Sequence, residues 1–506
     1  MNTKIISFIE LKNLRKKFSS SKIGLVHGVF DFFHYGHLLH IEKAKSLCDI
    51  LVVSVTADSF VNKGPGRPLY RENERLKIMS SLNPVDYVIL SNHYSSSEII
   101  KNLKPNFYFK GSDYKDFKKD YSKRILKEVN EVRKYGGKLF LTNEKNLSST
   151  KLINNYSSNL DKDLKEYLHQ MSKKITHDQI VNIFTKAKKL KVLIVGEMII
   201  DKYIFTTTLG KSPKENLIPV TTNRVETYGG GIIATANHIS NFVDSCTLLS
   251  VTGDQIDQNK KIKKMIHTRV SKILFLNKNS SVIEKTRFLD VNNDNHKLFQ
   301  ASNVSAIDIS VSLEKKILSY LKKNIGKYDR VIVHDFGHGF FSKNLIKFFE
   351  KNSKKLLVNV QTNSSNIGYN YLTKYSKLDY FSIDEPEARL ALQDRRASIK
   401  ELFFKLSKKI KFKLGCITHG RNGSYLYGNK NIYFAPALIK SKPVDTMGAG
   451  DAHFAITCLI FKMTSNLKII PFLGNVAAAI KIQTIGHRKS IERNEFLNYV
   501  KSILNV

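Results

Sequence analysis

Cysteine is scarce in this sequence, and its placement excludes two kinds of site. The chain of 506 residues has four cysteines. They lie far apart and form no C-x-x-C pair, whereas zinc sites and disulfide frameworks need cysteines at regular, short spacings. We therefore expect reduced thiols in the protein interior at Cys48, Cys246, Cys416 and Cys458.

Long apolar runs are also lacking. No stretch approaches the ~20 consecutive apolar residues that a membrane-spanning helix needs. Residues 1–17 alternate apolar side chains with Lys, Glu and Arg, and no small-residue cleavage site follows an apolar core there. The sequence predicts neither a membrane partner nor a signal peptide, so the cytoplasm is the expected location.

Acidic residues are few relative to basic ones. The chain has 44 Asp and Glu against 82 Lys and Arg, a formal net charge of +38. Such a balance is also typical of nucleic-acid binders, but the lysines are spread over the whole chain and no aromatic-interleaved basic motif is present. We expect no nucleic-acid partner. Nucleic-acid binding stays a rival hypothesis, which salt-dependent retention on DNA or RNA tests.

The first stretch with chemical character is G-V-F-D-F-F-H-Y-G-H at residues 28–37. It follows an apolar run that predicts a strand, residues 23–26, and precedes the helical pattern of residues 38–47. In a strand–loop–helix unit the loop and the helix N-terminus offer backbone N–H groups to an anion, and His34 and His37 add ring donors. This predicts polyphosphate binding, with two structural loop histidines as the alternative.

The same stretch resembles the signature G-x-F-D-x-x-H-x-G-H of the cytidylyltransferase-like nucleotidyltransferases. Later blocks follow in the order found in the nucleotidyltransferase half of the bifunctional ADP-heptose synthases, at residues 63–68, 85–88, 109–114 and 147–151. The resemblance implies that His34 and His37 are catalytic, with nearby lysines such as Lys43 or Lys45 stabilising phosphate charge. The nucleotide-binding residues that it implies here are Gly28, Phe30, Asp31, Gly36, Lys63, Arg67, Lys110, Ser148 and Thr150.

Apolar strands alternate with helical patterns from residue 23 to residue 156. This alternation predicts an α/β fold with a parallel, doubly wound sheet, whose ligands bind at the carboxyl ends of the strands. A polar segment rich in Lys, Ser and Asp follows, with a weak helical pattern. The expected division is a Rossmann-like nucleotidyltransferase domain at 1–156, a linker at 157–176 and a second domain at 177–506.

The second domain resembles the ribokinase-like (PfkB) sugar kinases, which implies another doubly wound α/β fold. Its matching blocks are G-E-M-I-I-D at 196–201, G-G-G at 229–231, D-E-P-E at 384–387, T-H-G-R-N-G at 418–423 and D-T-M-G-A-G-D at 445–451. The resemblance implies nucleotide binding by Thr418, Gly420, Gly423, Gly448, Ala449, Gly450 and Asn475. It also implies sugar binding by Asp201, Gly229, Gly230 and Lys285, and metal binding by Glu387.

The last of these blocks has a physical rationale of its own. A Gly-Ala-Gly run that enters the apolar helix of residues 452–461 leaves backbone N–H groups at the helix N-terminus, which suit charge developing on a transferring phosphoryl group. Asp451 then lies where it can take a proton from the attacking sugar hydroxyl. An acidic residue that only complements the helix dipole is the alternative.

These features together predict a bifunctional cytoplasmic enzyme of nucleotide-sugar biosynthesis. One domain would phosphorylate a sugar, which the resemblance implies is a heptose. The other would transfer a nucleotidyl group from ATP or CTP to the sugar phosphate and release pyrophosphate, with Mg²⁺ held on the nucleotide. The expected partners are a nucleoside triphosphate and a sugar or sugar phosphate, and a homo-oligomer stays open. ADP-heptose synthases carry the two domains in the opposite order.

A hypothesis of a different class treats the second domain as a catalytically silent module that binds a ligand or regulates the transferase. Two departures from the kinase pattern favour it. Ile233 stands where we align the asparagine of the family's G-G-x-x-N, and Asn359 stands near its usual strand-end Asp.

Overall fold

The computed structural model describes residues 4–61, 67–93, 95–111, 124–142, 162–278, 280–303, 309–438 and 443–504. The chain divides into two units. The first is Met1–Ile175 together with Leu497–Val506, and the second is Thr176–Phe496. The second unit thus begins one residue before the predicted domain start, and the last residues of the chain group with the first unit.

The first unit is built on one parallel sheet. Among its described residues, five strands follow the order β3-β2-β1-β4-β5, and every adjacent pair is parallel. The elements in chain order are α1 (Phe8–Lys17), β1 (Ile23–Gly28), α2 (Tyr35–Lys45), β2 (Ile50–Thr56), α3 (Glu72–Ser80), β3 (Tyr87–Ser91), α4 (Ser97–Leu103), β4 (Phe107–Lys110), α5 (Arg124–Lys134), β5 (Lys138–Leu141) and α6 (Lys162–Lys174). The predicted doubly wound α/β fold is confirmed.

Both faces of this sheet are buried, as a doubly wound sheet requires. Because successive side chains of a strand point to opposite faces, Leu25 and Val52 join a hydrophobic cluster on one face and Val26 and Val53 join a cluster on the other. The apolar runs of β1 and β2 therefore belong to central strands, whose carboxyl ends are left as the place for a site.

Helix α6 lies inside the predicted linker of residues 157–176. Leu164, Leu168 and Met171 are buried on one of its faces. The weak helical pattern of this segment therefore corresponds to a real amphipathic helix. The domain limits themselves stay a prediction.

The second unit contains two sheets. The larger has nine described strands in the order β10-β9-β6-β13-β14-β15-β16-β17-β18, parallel except for the antiparallel edge formed by β16, β17 and β18. The smaller, which we call the small sheet, has the order β12-β11-β7-β8. This α/β architecture confirms the predicted fold class of the second domain.

The elements of the second unit have the following bounds, with the last helix crossing the border between units. They are α7 (His177–Ala187), β6 (Lys191–Gly196), β7 (Met198–Thr208), β8 (Val220–Gly231), α8 (Ile232–Ser240), β9 (Ser245–Thr252), α9 (Ile256–Met265), β10 (Val270–Leu276), β11 (Ile283–Asp290), β12 (His296–Asn303), α10 (Val311–Asn324), β13 (Arg330–Asp335), α11 (Lys343–Asn352), β14 (Leu356–Val360), β15 (Tyr380–Asp384), α12 (Glu385–Leu392), α13 (Ile399–Lys409), β16 (Leu414–Thr418), β17 (Ser424–Gly428), β18 (Asn431–Ala435), α14 (Ala449–Ile460), α15 (Ile469–Lys481) and α16 (Arg493–Leu504).

None of the helices in the described ranges is long and apolar enough to cross a membrane. The four cysteines are free and buried. The structure thus agrees with the expectation of reduced interior thiols.

One buried arginine connects the loops at the carboxyl edge of the first sheet by hydrogen bonds. The Arg75 side chain is fully buried, and its guanidinium donates to the carbonyl oxygens of Tyr70, Val29 and Thr56 at 2.9, 2.7 and 2.7 Å. It also pairs with the Asp58 carboxylate at 2.6 Å. Each of these partners follows a strand or precedes a helix, so Arg75 fixes how the loops above β1 and β2 leave the sheet.

We expect Arg75→Met to destabilise the first unit by roughly 3–5 kcal/mol, because the half-buried Asp58 carboxylate and three carbonyl groups lose their buried donor. Arg71→Met is the matched control, since Arg71 is exposed one turn earlier and should change stability by about 0.5 kcal/mol or less. Urea unfolding followed by circular dichroism measures both. Equal losses for the two variants would contradict the role given to Arg75.

Candidate active sites

The loop between β1 and α2 carries the first predicted site. Phe30 and Phe32 have φ angles of 52° and 53° in this loop, a region that bulky side chains rarely adopt. The buried Phe30 ring packs against Gly28, where an added Cβ would lie 3.1 Å from the ring. Packing therefore holds the loop in a tight, strained bend beside the end of β1.

The two histidines of this loop form a stacked pair. Nδ1 of His34 accepts a hydrogen bond from the N–H of Gly36 at 3.1 Å, which assigns the ring proton to Nε2 and starts α2. The His37 ring stacks on the His34 ring with centroids 4.0 Å apart, and Phe33 stacks on His37 at 5.7 Å. Both imidazoles are half-buried at the carboxyl edge of the sheet, where the sequence predicts them.

The Asp31 carboxylate forms hydrogen bonds within the protein. Its buried carboxylate accepts hydrogen bonds from Arg67 Nε at 2.5 Å and from the backbone N–H groups of Leu69 and Tyr70 at 2.8 and 3.1 Å. We infer that Asp31 positions Arg67, although the resemblance implies that it binds nucleotide directly. Among the described residues, nothing hydrogen-bonds to the two terminal nitrogens of Arg67, whose side chain is 3% exposed. A guanidinium held in this way suits an anionic ligand.

Lys110 ends β4 on the other side of β1. Its Nζ lies 3.8 Å from the Glu128 carboxylate and 3.4 Å from the carbonyl oxygen of His27. Burial opposes ionisation of Glu128, but Lys110, His27 and the hydrogen bonds from Ser96 and Tyr108 together outweigh it, and the pKa of Glu128 falls to about 2. The structure thus places a buried ion pair beside the end of β1, and Glu128 is a residue that the sequence motifs did not indicate.

The remaining predictions for this site have other outcomes. Lys63, Ser148 and Thr150 lie outside the described residues. Lys45 forms an ion pair with Asp86 at 2.6 Å, so its ammonium group is directed to that carboxylate. The structure brings together the loop of residues 28–37, Arg67 and Lys110 at one edge of the sheet.

The second predicted site lies at the start of α14. Gly448 precedes this helix with a φ of 77°, and no side chain caps it. The first N–H groups of an α-helix have no acceptor within the helix, so Ala449, Gly450 and Asp451 lie where backbone donors and the helix dipole favour an anion. This geometry agrees with the phosphoryl-binding role that the sequence predicts.

The Asp451 carboxylate is almost fully buried among polar groups. Its Oδ1 accepts a hydrogen bond from Gln361 Nε2 at 3.0 Å and lies 3.4 Å from His334 Nε2. Its Oδ2 lies 3.8 Å from His487 Nε2. Burial raises the pKa of Asp451, which makes the ionised carboxylate a stronger base.

The predicted sugar-binding residues meet between the small sheet and α14. Asp201 on β7 forms an ion pair with Arg287 at 2.5 Å, and Lys285 is its register partner on β11. A Cβ at Gly230 would lie 2.0 Å from Asp201 Oδ2, so the absence of a side chain at this glycine leaves room for the carboxylate. Burial lowers the pKa of Lys285. Asp201, Gly230 and Lys285 thus lie together on one face of the small sheet.

The two positions that depart from the kinase pattern carry buried side chains. Ile233 is fully buried, and a Cβ at Gly229 would lie 2.4 Å from its side chain. Gly229 therefore admits Ile233, and Ile233 does not face a pocket open to a sugar. Asn359 is buried at the end of β14 and donates to the carbonyl oxygen of Ser382 at 2.5 Å.

The predicted nucleotide-binding segment after β16 is held by Asn475. The Asn475 amide accepts from Ser424 Oγ at 2.9 Å and donates to the carbonyl oxygens of Ala435 and Pro436 at 2.9 and 3.0 Å. These bonds use both ends of the amide, so we infer that Asn475 shapes the loop. Thr418 ends β16, and the following loop contains Gly420 and Gly423 with φ angles of 52° and 105°.

Glu387 caps α12. Its two carboxylate oxygens accept backbone N–H groups from Thr362 at 3.0 Å and Asp384 at 2.9 Å. Burial and the neighbouring Asp384 raise its pKa to about 8. Over the described part of the chain, no group of three or more His, Cys, Asp or Glu side chains is arranged to hold a metal ion. Metal binding by Glu387 stays a prediction.

Two carboxylates that shape this site lie inside the matching sequence blocks of the second domain, but the sequence analysis did not assign them a role. Glu197 is fully buried and accepts the backbone N–H groups of Phe336, His338 and Phe340 at 2.7, 2.9 and 3.2 Å. Burial raises the pKa of Glu197 to about 7. Asp445 accepts from Lys297 at 2.6 Å and from the N–H of Gly486 at 2.9 Å. An acidic residue inside an apolar run, as at Glu197, was the available signal.

The folds and the two loop–helix sites define a chain of two doubly wound α/β units. Residues 189–494 match the model of the pfkB family of carbohydrate kinases, and residues 25–155 match the cytidylyltransferase-like model. The first match covers more than half of the chain, and the chain belongs to the pfkB carbohydrate kinase family.

Each of the following similar proteins aligns with only part of this chain. A bifunctional protein HldE of Aliarcobacter butzleri is 34% identical over 158 residues, 30% of this chain and 33% of that protein. The one of Desulfatibacillum aliphaticivorans is 37% identical over 146 residues, 28% of each. The chain thus matches a third or less of the length of these relatives. Phosphofructokinase-2 from Escherichia coli shares the fold, with a TM-score of 0.50 and 11% identity over 61% of this chain and 98% of that chain.

We expect Gly423→Ala to destabilise the second unit by about 2 kcal/mol or more and to weaken nucleotide binding. The φ of 105° is unfavourable for alanine, and the new Cβ would lie 2.1 Å from the carbonyl oxygen of Ala435. Gly326→Ala is the matched control, because a Cβ there meets nothing within 4 Å. Urea unfolding and calorimetric titration with ATP measure both effects. A variant that is as stable as the control would contradict the account of this loop.

Proposed function

We propose that this chain is a bifunctional enzyme of nucleotide-sugar biosynthesis, with a sugar kinase in the second unit and a nucleotidyltransferase in the first. The observation that carries the proposal is the buried Asp451 carboxylate at the uncapped N-terminus of α14, with Asp201 and Lys285 near it. The stacked His34–His37 pair, with Arg67 held by Asp31 of the same loop, supports the transferase. A heptose is the first candidate sugar, since similar proteins are named HldE.

In the kinase step, the acceptor hydroxyl lies next to Asp451. Its oxygen attacks the γ-phosphorus of ATP in line, its proton passes to the Asp451 carboxylate, and the bond to the β–γ bridging oxygen breaks to release ADP. The backbone N–H groups at the start of α14 stabilise the negative charge on the transferred group. Gln361 holds Asp451 through one oxygen, which leaves Oδ2 for the acceptor.

In the nucleotidyl step, a phosphate oxygen of the sugar phosphate attacks the α-phosphorus of the nucleotide, and pyrophosphate leaves. Little covalent help is needed, so positioned donors supply most of the acceleration. His34, His37 and Arg67 supply those donors at the edge of the first sheet. The sugar phosphate is the product of the second unit, so the two steps follow one another.

The cofactor that we propose is Mg²⁺ bound to ATP, or to CTP in the transferase. Mg²⁺ neutralises phosphate charge and prefers carboxylate, phosphate and water oxygens. Of the described residues, Glu387 is the sequence-predicted candidate for a contact with it. The proposed partners are the nucleotide and the sugar or sugar phosphate. The proposed location is the cytoplasm.

We expect His34→Ala and His37→Ala each to lower nucleotidyl transfer by about 100-fold or more, because each removes a donor to the triphosphate. Kinase activity and the folded structure should remain. His93→Ala is the matched control, as an exposed histidine in the first unit. Pyrophosphate release measures the effect, and rates close to that of the control would contradict the proposed role.

We expect Asp451→Asn to lower sugar-dependent ATP consumption by about 100- to 10,000-fold, because an amide cannot take the acceptor proton. The transferase of the same protein should keep its rate. Asp257→Asn is the control, since that side chain is 90% exposed. ATP consumption against a panel of sugars measures the effect, and an unchanged rate would rule out Asp451 as the base.

A second candidate function keeps the transferase and makes the second unit a silent ligand-binding module. The buried Ile233 favours it, because it offers no polar group to a sugar where the resemblance implies an asparagine. The same sugar panel decides. If no sugar of the panel raises ATP consumption, either in wild type or in Asp451→Asn, the result supports the silent module.

A further inference from the structure

His487 occupies the space between the two carboxylates of the proposed kinase site. Its Nε2 lies 3.6 Å from Asp201 Oδ2 and 3.8 Å from Asp451 Oδ2, and its side chain is 7% exposed. The ring also covers the start of α14, because a Cβ at Gly448 would lie 2.4 Å from its Cε1. No sequence motif pointed to this histidine.

The distances leave no room for an acceptor hydroxyl beside this ring. A hydroxyl that bridges two polar atoms by hydrogen bonds of ~2.75 Å, meeting at about the tetrahedral angle of its oxygen, needs about 4.5 Å between those atoms. The gaps from Nε2 to the two carboxylates are shorter than that. An acceptor held by both Asp201 and Asp451 therefore takes the same position as the imidazole.

Few hydrogen bonds hold the imidazole itself. Among the described residues, nothing hydrogen-bonds to its buried Nδ1, and both carboxylate distances exceed a normal hydrogen bond. Burial lowers the pKa of His487 although Asp201 and Asp451 oppose this. A sugar hydroxyl that donates to either carboxylate gains bonds that the ring does not make.

The backbone on each side of His487 is anchored. We call residues 486–488 the strap. Gly486 donates its N–H to Asp445 Oδ2 at 2.9 Å. Arg488 binds the Glu226 carboxylate at 2.5 Å and the Tyr228 hydroxyl at 3.1 Å, both on β8 of the small sheet. The strap therefore holds the ring in the pocket and links its position to that of β8.

We propose that His487 fills the acceptor position of the kinase site, so that it limits which sugars bind and must be displaced before an acceptor enters. This inference rests on the proposed kinase function of the second unit. It makes His487 a specificity-determining residue, which touches the place of the substrate and takes no part in the transfer of the phosphoryl group.

The test is calorimetric binding of aldopentoses, aldohexoses, aldoheptoses and their phosphates to the full chain, in the presence of a non-hydrolysable ATP analogue. We expect His487→Ala to bind at least one of these compounds about tenfold or more tightly than wild type. His487→Ser keeps a small polar side chain and should act in the same direction, so it serves if the alanine variant folds poorly. His296→Ala, an exposed histidine on β12, is the control and should match wild type.

Arg488→Met provides a second measurement that keeps His487 in place. It releases the strap from Glu226 and Tyr228, and we expect tighter binding of the same compound with a smaller change than in His487→Ala. Unchanged affinities in His487→Ala and His487→Ser, including no binding to any variant, would overturn the inference.

ATP consumption on the same samples separates the two proposals. Tighter binding in His487→Ala without any turnover supports the role of His487 and contradicts the kinase. Turnover in wild type with no gain in affinity on removing the ring supports the kinase and contradicts the role of His487.

Discussion

Buried carboxylates that bind backbone N–H groups shape the loops above both parallel sheets. In the first unit, Asp31 holds the backbone of residues 69–70 and the side chain of Arg67. In the second, Glu197 holds residues 336–340. Removing a charge from water costs several kcal/mol unless hydrogen bonds replace the lost hydration. These loops therefore adopt the one conformation in which each carboxylate is satisfied.

The hydrogen bonding of these carboxylates also sets the geometry of the two candidate sites. Once the loops are fixed, the Arg67 guanidinium and the first turn of α14 present hydrogen-bond donors in a set position. Phosphoryl and nucleotidyl transfer depend mainly on such positioned donors. In the proposed scheme both units bind an anion with backbone and side-chain donors, and the base that the scheme requires is Asp451.

The sequence predicted the parts of the structure that local patterns encode. Alternating apolar strands and helices indicated the first doubly wound unit, and the stretches G-V-F-D-F-F-H-Y-G-H and D-T-M-G-A-G-D indicated the sites around His34 and Asp451. Contacts between residues far apart in sequence were not predictable in this way. Arg75 reaches Val29, and His487 reaches Asp201, across long stretches of chain. The burial of Ile233 was not predictable either, because an alignment position does not report which way a helix is turned.

The central claim is that one chain phosphorylates a sugar and then activates the product. Two parallel incubations with the same acceptor test it most directly, one with ATP labelled in the γ-phosphate and one with nucleotide labelled in the α-phosphate. If the account is right, the same nucleotide-sugar product carries the label in both, because its two phosphates come from the two steps. A product labelled from the α-phosphate alone, formed only when a sugar phosphate is supplied, would contradict the kinase half of the account.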